Sequence, residues 1–257
     1  MSVEVERDAG IVVVTMNRPD AMNAVDVQHA EELRDRLADI AQDDDTRVVV
    51  LTGAGEKAFI AGADIKYMQK LGVHEGLRWA ELGQACAELL ETMPKPTIAA
   101  INGYALGGGC ELALACDIRL AASTAKLGQP EINLGILPGW GGSQRLARAT
   151  TLGYAKELVF TGRMVDSAEA LERGFVNAVH EPGDLMEKTR ELAALLVAKS
   201  PVALAAAKEA TNLAFSGDHR GNLRTEAHLF SMAFATEDQS EGMAAFVEKR
   251  EPRFTGR

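Results

Sequence analysis

The chain has 257 residues, 47% of them hydrophobic and 25% charged, with a formal net charge of −10 at pH 7. That length and balance suit one large globular body with a well-buried core. The acidic surplus disfavours nucleic-acid backbones and anionic membrane surfaces, so neither nucleic acid nor membrane is expected as a partner.

Taken in chain order, Ile11–Met16 (IVVVTM) reads as a strand broken by Asn17-Arg18-Pro19-Asp20. Val27 to Ile40 has helical spacing, with Leu33, Leu37 and Ile40 on one face. Val48–Thr52 reads as a buried strand ended by Gly53, and Leu77–Met93 as a helix stopped by Pro94 and Pro96. Thr97–Ile101 and Ile118–Ala122 are further strands, separated by a short apolar helix over Gly108–Ala115. The ββα pattern recurs at intervals of roughly 45–50 residues, which suggests stacked supersecondary units rather than a Rossmann sheet. After about Gly141 the chain turns mainly helical. Asp166 with Glu169 and Thr236 with Gln239 read as capping boxes, Gly174 as a helix end, and Ser200-Pro201 as a helix start. The expected organisation is an α/β body over residues 1–195 and a helical segment over 196–257 that packs on the body or on a neighbouring subunit.

Cys86, Cys110 and Cys116 form no CxxC pair and no zinc spacing, and read as reduced, buried intracellular thiols. Glu4, Glu6, Arg7 and Asp8 near the N-terminus do not resemble a secretory leader. A cytoplasmic location is expected. The five histidines lack ligand spacing, so no metal site is expected.

Three segments carry candidate chemistry. Gly53-Ala54-Gly55 invites a dinucleotide reading, but residue 58 is Ala where GxGxxG needs glycine. Ala61-Gly62-Ala63-Asp64 follows a strand and leads into a helix, which is either a plain turn or a set of N–H groups free for a bound oxygen. Gly107-Gly108-Gly109-Cys110-Glu111 opens an apolar helix. Glycines inside a helix cost ~1 kcal/mol each relative to alanine. Close helix packing is one reason to keep them, and a backbone donor at the helix start is the favoured one. Glu131 follows Gly128-Gln129-Pro130 within an apolar stretch, where it is either a solvated surface group or a proton donor with a raised pKa.

Together these segments closely resemble the crotonase family, the enoyl-CoA hydratase/isomerase superfamily. The likeness runs from NRPDAMNA (17–24) through KAFIAGADIKYM (57–68), KPTIAAINGYALGGGCELALACD (95–117) and GQPEINLGILPGWGGSQRL (128–146) to GMAAFVEKREPRF (242–254). The resemblance implies an α/β fold, a spiral of repeated ββα units with a C-terminal helical trimerisation region. It implies a homo-hexamer built as a dimer of trimers, or a trimer. It implies an acyl-CoA thioester substrate and no separate cofactor, coenzyme A being part of the substrate.

Carried over position by position, Ala63 and Gly108 stand where the family places the two backbone N–H donors of an oxyanion hole. Ala61, Ala63, Asp64, Ile65 and Lys66 match the segment that wraps coenzyme A, with Met22, Ala24, Gly108 and Gly139 beside it. Lys249 matches a basic residue that reaches CoA phosphates. Glu111 and Glu131 match the two catalytic glutamates of true hydratases. Both imply syn addition of water to a 2-trans-enoyl-CoA, with Glu111 deprotonating the water that attacks C3 and Glu131 delivering the proton to C2. The alternatives are a 3-hydroxyacyl-CoA dehydratase, a Δ3,Δ2-enoyl-CoA isomerase, and a catalytically silent RNA-binding module, which the net charge and the glutamate pair oppose. Two positions depart from the family pattern. Asp20 replaces a frequent Lys. Trp140 replaces a small residue, and either narrows the acyl pocket toward short chains such as crotonyl-CoA or points into a subunit contact. Met68, Trp79 and Leu82 are further pocket candidates, equally readable as core.

Overall fold

A computed structural model describes residues 2–257. Two antiparallel strands open the chain, β1 (Val3–Asp8) and β2 (Ile11–Met16), followed by a short 3-10 turn over Pro19–Ala21 and helix α1 (Val27–Gln42). Then come β3 (Val48–Gly53), β4 (Ala58–Ile60), α2 (Ile65–Met68) and the long α3 (Val73–Thr92). The next unit is β5 (Thr97–Ile101), β6 (Tyr104–Leu106) and α4 (Gly108–Ala115), and the next is β7 (Ile118–Ala122) with β8 (Lys126–Gly128), a 3-10 turn over Pro130–Leu134, and α5 (Gly142–Ala149). After them run α6 (Leu152–Thr161), β9 (Met164–Asp166), α7 (Ser167–Glu172), β10 (Ala178–His180) and α8 (Leu185–Val197). The tail holds α9 (Pro201–Asn212), α10 (His219–Ala233) and α11 (Glu237–Glu248).

The strands form two sheets. The larger has the order β1-β2-β3-β5-β7-β10, parallel except for the β1–β2 pair. Its central strands are continuous apolar runs because both faces are covered: Val48 to Leu51 and Ile98 to Ile101 are fully buried, and α8 lies across five of its strands. The smaller sheet has the order β4-β6-β8-β9, with β4, β6 and β8 parallel. From β3 onward each unit contributes one strand to each sheet, whereas β1 and β2 both join the larger one. First strands begin at Val48, Thr97 and Ile118, so the regular interval expected from the sequence appears once and then shortens. The second unit needs only the eight-residue α4 to cross over, whereas the first uses the 20-residue α3.

Local signals held with small shifts. Asp26, Thr151, Ser200 and Asp218 cap their helices through side-chain oxygens. The two expected capping boxes form only their forward half. Asp166 accepts the Glu169 N–H at 2.9 Å, but the Glu169 carboxylate turns to Arg163. Thr236 accepts the Gln239 N–H at 3.1 Å, while the Gln239 amide turns to the Met243 sulfur. Helix α3 begins at Val73 rather than Leu77, in an exposed first turn with no apolar periodicity to announce it. The last helix on the large sheet ends at Val197, two residues beyond the boundary expected at 195. The tail is then tied back by Lys208, whose Nζ pairs with Asp117 at 2.9 Å and donates to the carbonyls of Leu90 and Lys95.

Candidate active site

Three parallel strands deliver the site. At their carboxyl ends, β4 runs into Ala61-Gly62-Ala63, β6 into Gly107-Gly108, and β8 into Gln129-Pro130-Glu131. Parallel pairing brings these three ends to one edge of the small sheet, the usual place for a ligand in such sheets. The Gly107 N–H donates to the Gly128 carbonyl at 3.0 Å and carries the ladder one residue further. A cavity of about 550 Å³ opens there, walled by residues from all three ends together with α3 and the loop before α5.

The three glycines at the start of α4 have different reasons to be glycine. A Cβ at Gly109 would overlap the Ile60 carbonyl, so this position is close packing. Gly107 has φ +52° and a Cβ there would stand 2.9 Å from Glu131 Oε1. Gly108 lines the cavity, and a Cβ on it would approach the Trp140 ring at 2.9 Å. Close packing therefore accounts for Gly109, while Gly108 lies on the cavity wall. Ala63 also lines the cavity and sits in an isolated bridge with Val25. The Ala63 and Gly108 N–H groups find no acceptor in the loops, turns and caps of the described residues. Two unpartnered donors lining one cavity can converge on a ligand oxygen.

Two carboxyl groups face the same space. Glu111 is 2% exposed, and its Oε1 accepts the N–H groups of Trp140 and Gly142, each at 2.7 Å. Burial pushes its pKa up to about 7, against the lowering effect of those two N–H groups and of the Arg145 guanidinium. Glu131 is 9% exposed and is also pushed up to about 7, by burial first and then by the negative charge of Glu111. The surface alternative for Glu131 is thereby removed. Fully buried Gln129 turns its side-chain amide to Glu131. With the nitrogen toward the carboxylate it donates to Oε1 at 3.1 Å and to Oε2 at 3.2 Å. With the oxygen toward it, the amide accepts from a protonated Glu131, so Gln129 can satisfy either state.

Of the residues expected from sequence, Ala61, Ala63, Ile65, Gly108, Gly139, Glu111 and Glu131 line the cavity, as do Met68 and Trp79. Met22, Ala24, Asp64, Lys66 and Leu82 lie outside its wall. Met22 and Ala24 serve through their backbone: the Met22 carbonyl accepts the Ala61 N–H at 3.1 Å, and the Ala24 carbonyl accepts from Arg18 at 3.2 Å. Asp64 caps α2 by accepting the Lys66 N–H and pairs with Arg18 at 2.9 Å. This pairing braces the Ala61–Ala63 loop against residues 18–25. Lys249 ends α11 in a left-handed turn on the tail. The Gly53–Ala58 loop is structural, its carbonyls taken up by the Asn23 and Asn102 amides.

Trp140 is 3% exposed and lines the cavity, packed edge-on against Trp79 at 4.9 Å, with Tyr67 beyond at 5.2 Å. A Cβ on Gly83 of α3 would overlap that ring. Trp140 thus lines the pocket and is buried within its own subunit. Gly83 escaped the sequence reading, although a lone glycine in a helix interior is a signal that something bulky packs there. Gln129 and Arg145 were visible only as parts of a motif. What singles them out is their partners, which lie far along the chain.

Residues 6–257 match the family described as enoyl-CoA hydratase/isomerase. The chain belongs to that family. It is 45% identical over 249 residues to a short-chain-enoyl-CoA hydratase of Clostridium acetobutylicum, covering 97% of this chain and 95% of the relative. It is 43% identical over 253 residues to a crotonyl-CoA hydratase of Syntrophomonas wolfei subsp. wolfei, covering 98% and 97%. The crystal structure of an enoyl-CoA hydratase from Bacillus anthracis superposes with a TM-score of 0.96 at 41% identity, over the whole of both chains. The α/β architecture is the one these family members share. Among the described residues, no helix is long and apolar enough to cross a membrane.

Proposed function

We propose that this protein is an enoyl-CoA hydratase, a lyase that adds water reversibly and syn across the double bond of a short 2-trans-enoyl-CoA. The observation that carries the reading is the pair of buried carboxyls, both raised to about 7, facing one cavity beside two unpartnered backbone donors. Hydration needs a base and an acid at the same pH, and two carboxyls with pKa values near neutrality share one proton between them. Glu111 is the member whose ionised form is held, by two N–H donors and a guanidinium, so it takes the proton from the water that attacks C3. Glu131 faces the charge of Glu111, keeps the proton, and delivers it to C2. The Ala63 and Gly108 N–H groups receive the thioester oxygen as it gains enolate charge, in a role whose loss typically costs 10²–10³ in rate. Dehydration of a 3-hydroxyacyl-CoA uses the same groups in reverse.

The short-chain preference is supported by the packed Trp140 and Trp79 rings, which both line the cavity. The acyl-CoA is the only ligand required, since coenzyme A arrives as part of the substrate. The tail exposes Phe215, Phe230, Met232, Phe234, Phe246 and Val247, apolar side chains that support assembly with further copies of the chain as a trimer or a dimer of trimers. Three unpaired buried cysteines support a cytoplasmic setting. The test is loss of the conjugated thioester absorbance on adding crotonyl-CoA. Glu111→Gln and Glu131→Gln should each lower kcat by about 10²–10⁴. An inert native protein that still binds coenzyme A would overturn the reading.

A further inference from the structure

Behind Glu111 stands a second layer that the proton-transfer scheme does not use. The peptide segment from Trp140 to Gly142 supplies both N–H donors to Glu111 Oε1, and one turn later Arg145 reaches back to it. Arg145 Nη1 donates to the Trp140 carbonyl at 2.9 Å, while its Nε and Nη2 both donate to Glu91 Oε2, at 3.1 and 2.6 Å. Gly141 between them has φ +105°, and a Cβ there would overlap Arg145 Nη1. Only glycine leaves the guanidinium its path. The side chain of Arg145 is largely buried, and Glu91 sits near the end of α3, the helix whose Gly83 and Trp79 hold the Trp140 ring. Two ion pairs on Glu91, from Arg145 and from Arg148 at 3.7 Å, therefore join α3 to α5, and Arg145 fixes the Trp140 carbonyl between the two N–H groups that hold the catalytic carboxylate.

We propose that Arg145, itself held by Glu91, is a positioning residue for hydration: it fixes the Trp140–Gly142 cradle so that Glu111 presents its second oxygen to the cavity. The inference rests on the hydratase reading of the site. Two consequences separate geometry from charge. The guanidinium orients the cradle through a directed hydrogen bond that an ammonium cannot reproduce together with the Glu91 contacts. It also favours the ionised form of Glu111, an effect that lysine keeps and methionine removes. The titratable groups facing Glu111 are Arg145 from α5, Glu131 from the turn after β8, and the neighbouring Cys110 thiol on α4.

The experiment compares Arg145→Lys, Arg145→Met and Glu91→Gln with the native protein, reading kcat and KM for crotonyl-CoA across pH. Arg145→Met should lower kcat by about 10- to 100-fold with KM within about threefold, and move the acid limb of kcat upward by about 0.5–1 pH unit. Arg145→Lys should lose kcat similarly while the acid limb stays in place. Glu91→Gln should lower kcat by a smaller factor without moving the limb upward. The pH titration of the Glu111 carboxyl by ¹³C NMR, assigned with Glu111→Gln, should show the same upward move in Arg145→Met only. Native kcat in both arginine variants, a loss confined to KM, or an unmoved Glu111 titration in Arg145→Met would overturn the inference. Native protein that leaves crotonyl-CoA untouched overturns the hydratase reading instead, and the NMR titration still decides the role of Arg145.

Discussion

Replacing Glu111 by Gln should make the protein more stable at alkaline pH, at the expense of its activity. The amide keeps an oxygen in place to accept the Trp140 and Gly142 N–H groups, so the cradle survives. What it removes is a buried negative charge. The carboxyl ionises near 4.5 when unfolded and near 7 when folded. A carboxyl whose folded pKa is raised stabilises nothing by ionising: its contribution is intact below the unfolded pKa and is lost as pH rises through the folded one. The loss accumulates between about 4.5 and 7. A displacement of that size amounts to roughly 1 kcal/mol at pH 5 and roughly 3 kcal/mol at pH 8. Glu131 is raised in part by the charge of Glu111, so Glu111→Gln also relieves its partner. Urea unfolding of native and variant protein at pH 5 and pH 8 measures this directly. The variant should gain about 2 kcal/mol more at pH 8 than at pH 5. A gain that is equal at both pH values, or a loss at both, would refute the argument that burial sets the protonation of this site.

Other consequences are as concrete. Trp140→Ala should enlarge the cavity that the ring lines, raising kcat/KM for eight-carbon and longer enoyl-CoAs relative to crotonyl-CoA in a chain-length series. Gly83→Ala should do the opposite kind of damage, forcing the Trp140 ring aside at a cost of about 1–3 kcal/mol, visible as a lowered Tm. Arg18→Gln should loosen the Asp64 brace behind Ala63, and should reduce kcat for crotonyl-CoA more than it raises KM. Lys208→Met leaves Asp117 without its cation where the tail meets the body. It should cost about 3 kcal/mol in urea unfolding and release α9 to faster hydrogen exchange.

Much of this could be read from the sequence because it rests on local rules. Continuous apolar runs such as Val48–Leu51 announce strands buried on both faces. Side-chain oxygens at Asp26 and Ser200 announce helix starts. The spacing of Leu33, Leu37 and Ile40 announces a buried helix face. The family motifs single out Glu111, Glu131, Ala63 and Gly108, all of which line the cavity. The three-residue strands β4, β6 and β8 were invisible, since so few residues carry no periodicity, yet these strands bring the three site loops to one edge. The capping boxes at Asp166 and Thr236 were half right because longer-range partners, Arg163 and Met243, outcompete the local contact.

The chain by itself determined which residues prefer strand or helix, which side chains are apolar enough to be buried, and which carboxyls stand in a recurrent family pattern, for these depend on near neighbours along the backbone. Only the tertiary structure decided what those residues do to one another. It put Trp140 against Gly83 and Trp79 instead of a subunit contact, turned Met22 and Ala24 into backbone braces, and set Arg145 between Glu91 and the cradle of Glu111. The physical reason is that burial, charge and close approach are properties of pairs distant in sequence, and the pKa values of Glu111 and Glu131 exist only once the fold has removed water from both.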